Sequence, residues 1–161
     1  KLRCSIVRFF NVYGPRQNPI FVVSRGVQRV INGQGPLQYD SGEQNRCFTY
    51  IDDAIEGMVI ASHKTEALGE AFNIGNNIPT KIKEVNRIII EQAGNDDLEV
   101  INIETADLYG DKYEDIGVRV PQNSKAKKIL GWAPRTQINE GISKTIQWAR
   151  ENPEWLAIGS E

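Results

Sequence analysis

Residues that build metal centres and disulfide frameworks are scarce in this sequence. Two cysteines, Cys4 and Cys47, and one histidine, His63, occur among 161 residues. Two separated cysteines in strand-like contexts predict buried, reduced thiols and a cytoplasmic location, and argue against a disulfide-stapled secreted domain. One histidine and two distant cysteines supply no ligand set for a metal. His63, near a predicted helix C-terminus, reads as a favourable end charge or a solvated side chain. Positive charge is not in excess: 19 Lys and Arg stand against 21 Asp and Glu, a net −2, which argues against a nucleic-acid binder. No apolar run approaches the ~18 residues of a membrane span, and no secretory apolar core opens the chain. Catalytic signatures are missing too. No G-x-G-x-x-G follows a strand, there is no P-loop, and there is no Gly-x-Ser-x-Gly elbow. The glycines of GQGPLQYDSG follow a helix, which is the wrong context for a pyrophosphate turn. Tyr109 and Lys112 are one residue too close for a Tyr-x-x-x-Lys pair. The opening KLRCSIVRFF has no Met and enters a strand almost at once, so the expectation is a piece of a longer protein without a self-contained catalytic apparatus.

Globular composition is present, with 25% charged and 40% hydrophobic residues. Arg3–Phe10 is rich in β-branched and aromatic residues and predicts a strand. Ile20, Val23, Val27, Val30 and Ile31 recur at helical spacing, with Gly33 as the stop. PLQY and RCFTYI flank the turn DSGEQN as short strands. A helix follows over DDAIEGMVIASHK, capped by Asp52 with acids in its first turn. EAFNIG predicts a strand. TKIKEVNRIIIEQAG predicts a helix capped by Thr80 and closed by Gly94. LEVINIE predicts another strand, and Thr105 to Gln122 reads as irregular. NSKAKKILG predicts a short helix with a solvated basic face, capped by Asn123 or Ser124 and closed by Gly131, with Trp132 packing beyond it. A last helix, NEGISKTIQWARENP, ends at Pro153. Alternating helices and roughly five short strands define an α/β class. They do not add up to a complete doubly wound domain.

Four stretches in order, RFFNVYGPRQ, GEQNRCFTYIDDAIEGMVIA, AFNIG and RVPQNSKAKKILGWAP, resemble the C-terminal half of the NAD-dependent epimerase/dehydratase family. These are extended short-chain dehydrogenase/reductases acting on nucleotide-diphosphate sugars. The stretch Leu108–Pro121 is similar in wording to UDP-glucuronate decarboxylases. The resemblance implies the C-terminal part of a Rossmann-type fold. Residues of about 1–15 and 48–78 would be remnants of the Rossmann sheet and its helix. Those of about 16–47 and 79–161 would form a small mixed α/β nucleotide-sugar-binding subdomain. It implies NAD in the full-length enzyme, held mainly by an N-terminal half that also carries the catalytic Tyr-x-x-x-Lys pair. It further implies a UDP-sugar substrate, 4-epimerase-like chemistry through a 4-keto intermediate or decarboxylation of a UDP-glucuronate, and a homodimer. A non-catalytic nucleotide-sugar-binding module is the reading from another class.

The resemblance also assigns residues. Arg46 and Arg119 would contact the diphosphate, which suits the planar guanidinium fork; in the decarboxylase branch Arg119 would lie near the sugar carboxylate. Asn11 would bond the phosphate or sugar, at the strand end where ligands of open α/β sheets sit; its alternative is a turn cap before Gly14-Pro15. Tyr39, with Leu37, would pack on the nucleobase, a contact that tolerates different bases. Phe21, with Ile20 and Val22, would wall the base. Tyr113 would reach the sugar or phosphate, and Arg16 is either a phosphate ligand or a solvated loop residue. Tyr13 and Pro15 read as structural. Gln122 departs from the family's Pro-Asp-x-Ser-Lys, where it replaces the Asp.

Overall fold

The computed structural model describes residues 3–105 and 117–159. The chain opens with β1 (Ile6–Phe9) and β2 (Val12–Tyr13), and then enters α1 (Val22–Ile31). Three short strands follow: β3 (Leu37–Tyr39), β4 (Asn45–Arg46) and β5 (Thr49–Tyr50). Next come α2 (Ile51–His63), β6 (Ala71–Ile74), β7 (Thr80–Lys81) and α3 (Ile82–Ala93). The remainder is β8 (Ile101–Ile103), β9 (Val118–Arg119), a wide π-type helical turn α4 (Ala126–Leu130), α5 (Ile138–Arg150) and α6 (Pro153–Leu156).

Pairing is mostly parallel and between strands distant in sequence. β1 pairs with β6 from Ile6↔Ala71 to Phe9↔Ile74, β2 with β5, and β3 with β8. β4 is the centre of a three-stranded sheet, antiparallel to β7 and parallel to β9. Two apolar clusters hold these pieces. The larger joins Val23, Val27 and Val30 of α1 to Val85, Ile88 and Ile89 of α3 and to Ile142 and Ile146 of α5, with Tyr13, Phe48 and Tyr50 inserted. Each such aliphatic side chain contributes ~1.5–3 kcal/mol when fully buried. The smaller packs Ala54 and Ala61 of α2 on Phe72 and Ile74 of β6, closed by Ala126, Leu130 and Trp132. Trp132 is 1% exposed and donates its indole N–H to the Asp53 carbonyl.

Gly33, Gly94 and Gly131 close their helices in the left-handed region, as the sequence predicts. Other expectations need correction. α2 and α3 start straight from strands, so their N-cap residues are Tyr50 and Lys81, neither with a side-chain cap. Asp52 lies inside the first turn of α2, and Thr80 pairs in β7. The Asn123 amide donates to the Gly75 carbonyl, and no side chain caps α4. Pro153 opens α6 at its first turn, where its missing N–H costs nothing. RCFTYI divides into β4 and β5, Ile20 lies outside α1 and is exposed, and Cys4 is exposed whereas Cys47 is buried. Arg119 lies in β9 rather than in irregular chain. Among the described residues, no helix is long and apolar enough to cross a membrane, and no group of three or more His, Cys, Asp or Glu could hold a metal.

Candidate functional site

β1 runs parallel to β6 and β2 parallel to β5, and Phe9 at the end of β1, Asn11 and the β2 residues Val12 and Tyr13 border a groove. Asn11 sits between the two strands with φ 40, a left-handed conformation that asparagine tolerates better than most residues. Its backbone carbonyl accepts from Thr49 N–H at 3.1 Å, and its Nδ2 donates to the Cys47 carbonyl at 3.1 Å. The amide nitrogen is thereby committed to the fold, and the residue borders the groove. One lobe, about 350 Å³, is lined by Asn11 with Phe9, Gln17, Phe21 and Phe48. A second, about 220 Å³, shares Asn11, Val22 and Phe48 and adds Tyr39, Gln44 and Arg46. A third, about 70 Å³, lies between Val22, Leu37, Tyr39 and Arg25.

Five residues picked from the sequence, Asn11, Phe21, Leu37, Tyr39 and Arg46, therefore line one groove. Arg119 lines none of the three lobes; strand register sets it opposite Arg46, which lines the second. Register partners on parallel strands project from the same face, so two guanidiniums share one edge. The Arg46 Nη1 donates to the Asn45 carbonyl at 2.8 Å, and Arg119 is exposed. The adjacent Glu43 is occupied by Lys81 and Lys83, whose hydrogen bonds lower its carboxyl to about 2. Buried Tyr13 sits beneath the groove with its hydroxyl pushed upward, first by burial and then by the nearby Tyr50, Asp53 and Glu140. It remains a neutral phenol that packs edge-on to Phe48 and Tyr50.

Arg16 does not line the groove; it is exposed, in a left-handed turn with φ 68. Tyr113 lies outside the described residues. Asp40, which follows Tyr39, takes hydrogen bonds from Thr105, and the Gly117 carbonyl accepts from Asn45 N–H.

Sequence reasoning missed Gln17, Gln44, Phe48 and Arg25. The Oε1 atoms of Gln17 and Gln44 are buried without a hydrogen-bond partner among the described residues. The Asn86 Oδ1 and Gln92 Oε1, which line none of the lobes, are in the same state. No sequence pattern marks the four missed residues; Phe48 alone was legible as an apolar residue of a strand candidate. A dinucleotide is a different matter. The one glycine with an unusual backbone at the β2 exit, Gly14 (φ 140), has the space of its missing Cβ filled by Ile51 Cγ2 at 2.6 Å. It is a packing glycine and offers no room there for a phosphate.

The model of the family described as GDP-mannose 4,6 dehydratase matches residues 1–145. The chain is similar to the UDP-N-acetyl-alpha-D-glucosaminuronate decarboxylase of Bacillus cytotoxicus, 34% identical over 153 residues, covering 93% of this chain and 47% of that protein. Its structure is similar to that of UDP-glucose 4-epimerase from Thermotoga maritima solved with UDP-glucose, with TM-score 0.83 and 28% identity over 94% of this chain and 47% of that one. It is also similar to UDP-glucuronic acid 4-epimerase from Bacillus cereus in complex with UDP-glucuronic acid and NAD, with TM-score 0.78 and 25% identity over 91% of this chain and 45% of that one. The chain thus spans about half the length of the proteins it matches.

Proposed function

The chain belongs to the GDP-mannose 4,6 dehydratase family, and from that membership we propose that it is the C-terminal, nucleotide-sugar-binding part of an NAD-dependent epimerase/dehydratase. The observation that carries the reading is the register pairing of Arg46 with Arg119 beside a groove lined by Asn11 and Tyr39. In this reading the diphosphate lies against the two guanidiniums, each able to offer two parallel N–H donors to phosphate oxygens. The base enters between Tyr39, Leu37 and Phe21, where an aromatic face and aliphatic walls accept it without strict selection. The sugar extends past Asn11 toward the carboxyl end of β1. The chain's part in the chemistry is to bind and to hold the sugar in one orientation, which lowers a barrier by fixing geometry before reaction.

Hydride transfer is the chemistry a nicotinamide supplies when bound, and its catalytic groups belong to sequence outside these 161 residues. Residues of about 1–15 and 48–78 belong with the cofactor domain, and those of about 16–47 and 79–161 form the substrate subdomain. The full-length protein is a cytoplasmic homodimer, and the isolated chain is catalytically inert. Titration calorimetry with UDP, UDP-glucose and UDP-glucuronate tests the assignment. Saturable binding of all three, with no turnover when NAD⁺ is added, is the expected result. Absence of binding at millimolar ligand, or turnover by the isolated chain, would overturn it.

A second reading concerns the sugar. Two of the similar proteins described above carry a uronate in their names. A sugar carboxylate adds a negative charge that exposed Arg119 can meet. Tighter binding of UDP-glucuronate than of UDP-glucose, lost in Arg119→Gln, supports this reading; equal binding rejects it.

A further inference from the structure

Charge is distributed unevenly along the chain. Residues 1–39 contain Lys1, Arg3, Arg8, Arg16, Arg25 and Arg29 and no acid; all 21 Asp and Glu lie from Asp40 onward. Two of these arginines face a cavity of about 410 Å³ on the flank of α1; it shares no residue with the lobes that hold Asn11 and Arg46, and shares Arg25 and Ile20 with the third lobe. Arg25, Gln28, Arg29 and Asn32 fall at i, i+3, i+4 and i+7, so one stripe of the helix forms its wall. Gln28 donates to the carbonyls of Trp155, Leu156 and Ile158, and Asn32 to that of Leu156. These bonds fix the chain's last described turn as the floor.

The arginines are left differently. Arg29 Nε donates to the Gly35 carbonyl at 2.8 Å and Arg25 Nη1 to the Tyr39 hydroxyl at 3.4 Å. Each guanidinium is tethered through one nitrogen to a neutral acceptor. Among the described residues neither meets a carboxylate, and no acid lines the cavity. Like charges four residues apart on a helix repel, and nothing in the described fold offsets this pair. Ile20 and Ile158 supply an apolar wall beside them.

We propose that this cavity is a second anion site, adjoining the nucleotide-sugar groove across Arg25 and Ile20, and that it takes an organic phosphate monoester. The phosphoryl group meets the remaining N–H donors of Arg25 and Arg29, and the organic part lies on Ile20 and Ile158. Two guanidinium forks match phosphate oxygens better than ammonium groups do, and the volume exceeds that of a phosphate alone. The inference does not depend on the nucleotide-sugar reading.

The test is a ¹⁵N–¹H titration of the whole chain with phenyl phosphate and, separately, with inorganic phosphate at constant ionic strength. Phenyl phosphate should give saturable shifts at the Arg25, Gln28 and Arg29 amides and at the arginine Nε–H signals. Arg29→Gln should weaken that binding about tenfold or more, as expected for removing a charged hydrogen-bond donor. Arg25→Gln does the same if Arg29→Gln fails to fold. Arg119→Gln, which impairs the other site, should leave it unchanged, so the two readings fail separately. Absence of saturation, or loss in Arg119→Gln in place of the α1 variants, overturns the site. Inorganic phosphate binding as tightly as phenyl phosphate overturns the organic class.

Discussion

Replacing Asn11 separates a turn residue from a ligand contact. Its φ of 40 disfavours alanine by ~1 kcal/mol, a strain that glycine does not feel. Its Nδ2 bond to the Cys47 carbonyl contributes ~1 kcal/mol. Asn11→Ala loses both and should destabilise the fold by about 2 kcal/mol. Asn11→Gly loses only the hydrogen bond and should cost about 1 kcal/mol. Binding should behave otherwise. Both variants remove the amide of a residue that borders the groove, so both should bind UDP-glucose about 3–10-fold more weakly, as for one neutral hydrogen bond. Chemical denaturation and calorimetry on the same preparations read the two effects. If Asn11→Gly binds like the parent, Asn11 is a turn residue and the groove's assignment at this position is wrong. If the two variants are equally stable, the left-handed backbone is not where the strain lies.

Two further substitutions probe the scaffold. In Gly141→Ala the new methyl would lie 2.0 Å from the Tyr13 hydroxyl and 2.7 Å from its Cζ, inside the larger core. Alanine's helical advantage of ~1 kcal/mol is outweighed by overpacking of about 1–3 kcal/mol, so thermal stability should fall, and a rise would show that Tyr13 can move. Glu43 is held at about 2 by its bonds to Lys81 and Lys83. Because its folded value lies below the unfolded one, its contribution is complete above the ordinary carboxyl range and is lost as pH falls from there toward 2. Glu43→Gln should flatten stability against pH in that acid window; an unchanged slope would mean that the Lys81–Glu43–Lys83 cluster adds nothing to the fold.

The helices were legible because three and four residue spacing places Val23, Val27 and Val30, or Val85, Ile88 and Ile89, on one buried face. Their starts were misplaced at Asp52 and Thr80 because each strand there runs directly into its helix. Tyr50 and Lys81 are already extended, and no loop remains to hold a capping side chain. Asn11, Tyr39, Leu37, Phe21 and Arg46 were legible as groove residues through turn chemistry and family-like wording. The pairing of Arg46 with Arg119 was not, since a parallel register between distant two-residue strands leaves no periodic trace in either. Gln17 and Gln44 escaped for a related reason: an unsatisfied buried amide oxygen is a property of packing, invisible in residue type.

The central claim is that Arg46 and Arg119 act together on a diphosphate. Calorimetry of UDP-glucose binding to Arg46→Gln, Arg119→Gln and the double variant tests it most directly. Each single change should weaken binding by about 1.5–3 kcal/mol, with the double variant departing from the sum because the two side chains are neighbours. Wild-type affinity in both single variants would contradict it, and would leave the two arginines as surface charges that happen to share a register.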